Sequence, residues 1–202
     1  MRQYPGRLAA AAFVSVSLAA CAGHQPSPAL AGVAEPDGQI LAALDIGMRA
    51  EIAADATALM AAASLLESSG ARPAPGEADL QQIWYARAAE LGETVPPARG
   101  RIAGPAYRNG TLAGGEAAVL RDSFHSGRAA RVSLQARGGG MLRLSIRRGA
   151  PGSGAGARET VCETLASAAP VSCQWVPVWS EPFTIEISNL TGGQVAYSLI
   201  TN

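Results

Sequence analysis

The stretch Ala130–Arg147, ARVSLQARGGGMLRLSIR, decides the fold. Ala130, Val132, Leu134 and Ala136 alternate with Arg131, Ser133 and Gln135, and Leu142, Leu144 and Ile146 alternate with Arg143, Ser145 and Arg147. A period of two places each apolar set on one face of a strand. Gly138-Gly139-Gly140 supplies the turn, so the spacing predicts a hairpin with Arg131, Arg143 and Arg147 on its outward face.

The same period continues on both sides. Downstream, residues 148–158 read as a Gly-rich loop. Val161–Glu163 and Val171–Trp175 are short strands, and Phe183, Ile185 and Ile187 alternate with Thr184, Glu186 and Ser188. Thr191–Gln194 turns the chain into a last strand carrying Val195, Tyr197 and Leu199. Upstream, Ala118, Leu120 and Phe124 form a strand face that Asp122 interrupts. Seven or eight short strands with Gly-rich turns predict a small antiparallel β-sandwich or jelly-roll over residues 112–202.

Before Pro96 the period changes. Leu41, Leu44, Met48, Ile52, Ala56, Leu59, Ala63 and Leu66 fall at steps of three and four, which predicts a helix over 39–69. Asp37 is its expected N-cap, Gly70 its stop, and Gly47 a place for a break. Residues 71–76 are a loop. A second helix over 77–91 sets Leu80, Ile83, Trp84, Arg87 and Leu91 on one side. Residues 39–92 therefore read as a helical hairpin, and the fold class as α+β. Residues 21–38 are small and Pro-rich, a tether.

The N-terminus reads as an address. Arg2 and Arg7 precede the apolar run Leu8–Ala20, too short at about 13 residues for a bilayer that needs about 20. Leu18-Ala19-Ala20-Cys21 resembles the lipobox of bacterial lipoproteins. That resemblance implies a signal peptide over 1–20, acylation of Cys21 by chains such as palmitate, and attachment to a membrane. Ala22 rather than Asp after the cysteine implies, by the common sorting rule, the outer membrane of a Gram-negative cell, facing the periplasm. Acyl chains add about 0.8 kcal/mol per buried methylene, so two or more hold a protein durably. With Cys21 lipidated, Cys162 and Cys173 remain as an even pair in an oxidising compartment and predict a disulfide. Zinc is the rival reading, but His24 and His125 are the only histidines.

The C-terminal tracts Cys173-Gln174-Trp175-Val176-Pro177-Val178-Trp179, Pro182-Phe183-Thr184-Ile185, Asn189-Leu190 and Tyr197-Ser198-Leu199 resemble the closing half of the bacterial pre-peptidase C-terminal domain. The resemblance covers residues 112–202 and implies a β-sandwich that binds or solubilises without a catalytic centre. Many relatives carry an acidic run on the central hairpin. Here Gly138–Ile146 has no carboxylate, and calcium prefers six to eight oxygens, so no calcium is expected there.

Catalytic constellations are scarce. Asp122, Ser123 or Ser126, and His125 make a triad only on paper, because neighbours on a strand point to opposite faces. No phosphate loop, dinucleotide fingerprint or zincin pair appears, and neither metal nor cofactor is expected. Asn109-Gly110-Thr111 reads as a turn and Asn189-Leu190-Thr191 as a strand end.

The 16 basic residues, all Arg, balance 16 acids, and neutrality argues against nucleic acid. Residues 35–93 nevertheless hold ten acids and three Arg, and residues 94–202 hold eleven Arg and six acids. The Arg131, Arg143, Arg147 face is a solvated face, a dock for the acidic helices, or a site for an anionic envelope component. Trp175 and Trp179 are either a stacking pair for a glycan or plugs of the sandwich. The expectation is a non-catalytic, lipid-anchored envelope protein that serves as an interaction or scaffold module with a protein or glycan partner. Binding of an anionic polymer is the alternative, and a hydrolase the remote one.

Overall fold

The structure, a computed structural model, describes residues 35–97, 104–149 and 159–202. The expected signal peptide, Cys21, the tether up to residue 34 and most of the 148–158 loop lie outside these residues. Three helices come first: α1 (Glu35–Ala53), α2 (Ala56–Ser68) and α3 (Leu80–Glu90), with a two-residue strand β1 (Arg72–Pro73) before α3. Then follow β2 (Ala106–Leu112), β3 (Ala117–Phe124), β4 (Ala130–Arg137), β5 (Leu142–Arg148), β6 (Thr160–Ala166), β7 (Val171–Trp175), β8 (Glu181–Asn189) and β9 (Val195–Thr201). The class is α+β, with a β-sandwich.

The five-stranded sheet has the order β1-β2-β9-β4-β7 and the four-stranded sheet β3-β8-β5-β6. All pairs are antiparallel except β1 with β2. From β2 onward the chain changes sheet at every connection except β5 to β6. The expected β4–β5 hairpin is therefore an arch. Gly138–Gly140 carries the chain across the sandwich, and β4 pairs with β7 and β9 while β5 pairs with β6 and β8. Alternation told which residues face inward. Val132, Leu134, Leu142, Leu144 and Ile146 all enter the inter-sheet core, but from opposite sheets.

The disulfide forms between Cys162 and Cys173, whose Cα atoms are 5.9 Å apart. Cys162 lies on β6 of the four-stranded sheet and Cys173 on β7 of the five-stranded one, so the bond clamps one edge of the sandwich.

The helices form a third layer on the outer face of the five-stranded sheet. Tyr107 and Ile200 turn outward into their core, beside Ile40, Leu44, Leu59, Leu66 and Trp84. α1 runs along β4. Asp37 in its first turn contacts Arg131 and Ser133, and the Asp45 carboxylate, two turns on, acts on the guanidinium of Arg137.

Several helical expectations are corrected. Helix begins at Glu35, inside the expected tether, and Asp37 is a fully buried helical residue rather than an N-cap. The 39–69 segment is two helices. The break falls at Ala54, whose φ of 51° is left-handed, and Asp55 caps α2 by accepting from the Ala58 N–H at 3.0 Å. Gly47 does not break α1. Its missing side chain admits the Trp84 indole against the helix backbone, where any Cβ collides with the ring. α3 buries Gln81, Trp84, Tyr85 and Ala88, and leaves Ile83 and Leu91 exposed. Its face is rotated from the expected one because Trp84 and Tyr85 both turn inward.

Candidate functional site

Opposite the disulfide-clamped edge, the two sheets part. The inward positions of β2 include Ala106, Arg108 and Gly110, and the facing edge strand β3 supplies Ala118, Leu120 and Asp122 before Phe124. Ala106, Gly110 and Ala118 are too small to fill the gap between two sheets about 10 Å apart. A cleft of about 560 Å³ results. Apolar Leu120, Phe124, Ile185 and Leu199 reach its wall, while Arg72, Arg108, Arg121, Arg128 and His125 give it a basic rim.

The arginines differ in how far the protein engages them. Arg108 Nη1 lies 3.6 Å from Glu77 Oε1, and Arg72 Nε donates to the Gly104 carbonyl at 3.1 Å. Arg121 and Arg128 are exposed, and among the described residues neither has a carboxylate partner. Asp122, the one side-chain carboxylate on the cleft wall, accepts from the Ser123 N–H at 2.8 Å. Arg121 alternates with inward-facing Leu120 and Asp122 and so points to the outer side of its sheet. Arg72, the register partner of inward Ala106, and Arg128 flank the apolar floor without a carboxylate partner among the described residues. Such a floor suits the carboxylate or phosphate of an amphiphilic or polymeric ligand.

His125 also borders the cleft, but among the described residues no hydrogen bond links it to Ser123, Ser126 or Asp122. No nucleophile-and-base pair is assembled there. Among the described residues no three His, Cys, Asp or Glu side chains come together as a metal site.

The residues expected to form an anion-binding face are dispersed. Arg131 lies on the outer side of the five-stranded sheet, with 16% of its side chain exposed, 3.3 Å from Asp37 Oδ1. Arg143 and Arg147 lie on the other sheet, and Arg147 Nη1 is 3.2 Å from Glu186 Oε2. The shared face is absent because the arch separates the strands that carried it. Arg131 serves the intramolecular alternative instead: an acidic helix docks on it.

Trp175 and Trp179 do not form a pair. Trp175 joins an aromatic cluster, its ring centroid 4.9 Å from that of Phe124 and 5.2 Å from that of Phe183. Trp179 is exposed in the β7–β8 loop. Asn109-Gly110-Thr111 lies within β2, not in a turn, and Asn109 Oδ1 accepts from Ser198 Oγ at 2.6 Å. Asn189 does end a strand. Its amide donates to the carbonyls of Leu112, Ala113 and Gly193.

Sequence reasoning missed the cleft because its arginines stand at positions 72, 108, 121 and 128, on four separate segments. Arg72 fell in the stretch read as a loop, and Arg108 beside the one read as a turn. The one available signal was the lack of carboxylates between Asp122 and Arg158, which marks Arg128 but not its neighbours.

No family model and no curated protein sequence matches the chain. Solved structures resemble part of it. One is the periplasmic inhibitor of g-type lysozyme PliG from Aeromonas hydrophila, at 16% identity and a TM-score of 0.37, covering 48% of this chain and 84% of that one. Another is the pre-peptidase C-terminal domain of collagenase from Bacillus anthracis, at 14% identity and a TM-score of 0.39, covering 48% and 87%. Neither likeness bears on a ligand or partner.

Proposed function

We propose that this chain is a non-catalytic, lipid-anchored module of the bacterial envelope that binds an anionic envelope polymer in the cleft between β2 and β3. The observation that carries the reading is the pair Arg72 and Arg128, exposed on the cleft rim without carboxylate partners among the described residues. Guanidinium forks recognise carboxylate and phosphate with two parallel hydrogen bonds, and the apolar floor gives a sugar ring or acyl stem a surface to cover.

The anchor in this proposal is the lipobox at Leu18–Cys21, and the compartment is the periplasmic face of the outer membrane. The resemblance of residues 112–202 to the pre-peptidase C-terminal domain agrees with a module that binds rather than catalyses. The inter-sheet disulfide agrees with an oxidising compartment. Among the described residues no helix is long and apolar enough to cross a membrane.

The test is retention of the purified chain on two immobilised glycans, one carrying carboxylates and one carrying phosphates. The native chain is expected to be retained on at least one and released by salt, and Arg72→Ser/Arg128→Ser to pass through. Equal retention of the two proteins rejects the cleft as the site.

A further inference from the structure

The β7–β8 loop carries Val176, Val178 and Trp179, which are 59%, 65% and 72% exposed. Three large apolar side chains in four residues mark an interaction surface when they stand together on one loop. The loop is held in place rather than loose. Pro177 is buried and its carbonyl accepts from the Gly127 N–H at 2.9 Å, while Ser180 Oγ accepts from the Ser126 N–H at 2.9 Å. These bonds join it to the β3–β4 turn, where Arg128 stands exposed.

The start of the described chain lies at the same pole. Asp37 contacts Arg131 and Ser133, and the neighbouring Ala130 is the register partner of Trp175, the last residue before the loop. α1 then runs away from this pole toward Arg137. Glu35, where the described chain begins, therefore lies at the pole that carries Val176–Trp179. The 14 residues from Cys21 to Glu35 reach at most about 50 Å.

We propose that Val176, Val178 and Trp179 form a membrane-contact loop, seated in the interface of the bilayer that holds the acyl anchor. Trp favours the headgroup level, with an apolar ring and an N–H for water. Arg128 beside the loop adds attraction to anionic headgroups. The anchor then brings the body to the surface, and the loop fixes which pole faces it. The proposal rests on the lipid-anchor reading, and the two are separable.

The experiment uses the full chain with vesicles of phosphatidylglycerol and brominated phosphatidylcholine, which quenches tryptophan at the interface. Native protein is expected to lose emission relative to non-brominated vesicles, and Trp179→Phe to abolish that loss while Trp84 and Trp175 remain. Val176→Ser/Val178→Ser weakens it. Mass analysis of the N-terminal peptide reads acylation of Cys21 separately. Quenching through Trp179 supports the loop whether or not Cys21 is acylated. Its absence in both the acylated chain and Cys21→Ser overturns the loop proposal, and leaves the anchor to be judged by the mass alone.

Discussion

The carboxylate of Asp37, buried beneath α1, accepts a 2.6 Å hydrogen bond from Ser133 Oγ across 96 positions of sequence. Its other oxygen lies 3.3 Å from Arg131 Nη1. This small polar cluster fixes the first turn of the helical layer to the centre of the five-stranded sheet. Removing the acid strands a largely buried guanidinium, at a cost of about 2–4 kcal/mol. Asp37→Ala is therefore expected to shift the urea midpoint down. Asp37→Ala/Arg131→Met recovers part of the loss, which a double-mutant cycle measures.

Gly47 and Trp84 form a tie between α1 and α3. Because any Cβ at position 47 meets the indole, Gly47→Ala lowers stability by about 1–3 kcal/mol despite the better helix propensity of Ala. Thermal unfolding of Gly47→Ala/Trp84→Leu, which frees the space, is expected to show a smaller loss than the two single changes combined.

The Cys162–Cys173 bond closes a loop of sequence separation 11 and links the two sheets. Reduction is expected to remove about 3 kcal/mol of stability. Denaturation with and without reductant measures it, and the Cys162→Ala/Cys173→Ala protein is expected to be insensitive to reductant.

Tyr197 is buried over Gly110, and burial first, then Glu77 and Glu116, raises its pKa above 10.0, against the opposing pull of Arg108. A raised folded-state value means the neutral phenol is favoured by folding. That stability is complete below pH 10 and is lost as pH climbs through the folded pKa. Tyr197→Phe is expected to flatten the alkaline limb of a stability–pH profile while leaving neutral pH less affected.

The fold was legible where one period dominated. Alternation in Ala130–Arg137 and Leu142–Arg148 named inward residues correctly, because a strand has only two faces. It did not name the partner strand. The arch at Gly138–Gly140 and a hairpin turn look alike in sequence, and only the pairing of β4 with β9 and of β5 with β8 separates them. β2 escaped notice because Asn109-Gly110 reads as a turn. In the fold that glycine is a strand residue kept bare so that the Tyr197 ring can lie over it. Asp37 looked like a cap because an acid is rarely buried. Its partners, Arg131 and Ser133, are too distant in sequence for local pattern to find. The cleft is harder still, since its basic rim exists only after the sheets are assembled.

Binding in the cleft turns on Arg72 and Arg128, and equilibrium titration with a soluble carboxylated or phosphorylated polysaccharide tests it most directly. Native protein is expected to bind at least one of the two polymers, with affinity that falls as salt rises. Arg72→Ser/Arg128→Ser is expected to bind about 10-fold more weakly or worse, from the loss of two charge-assisted contacts. Arg143→Ser, on the outer face of the four-stranded sheet and away from the cleft, is expected to match the native chain. Native-like affinity in the double variant, or equal weakening in Arg143→Ser, contradicts the cleft as the binding site.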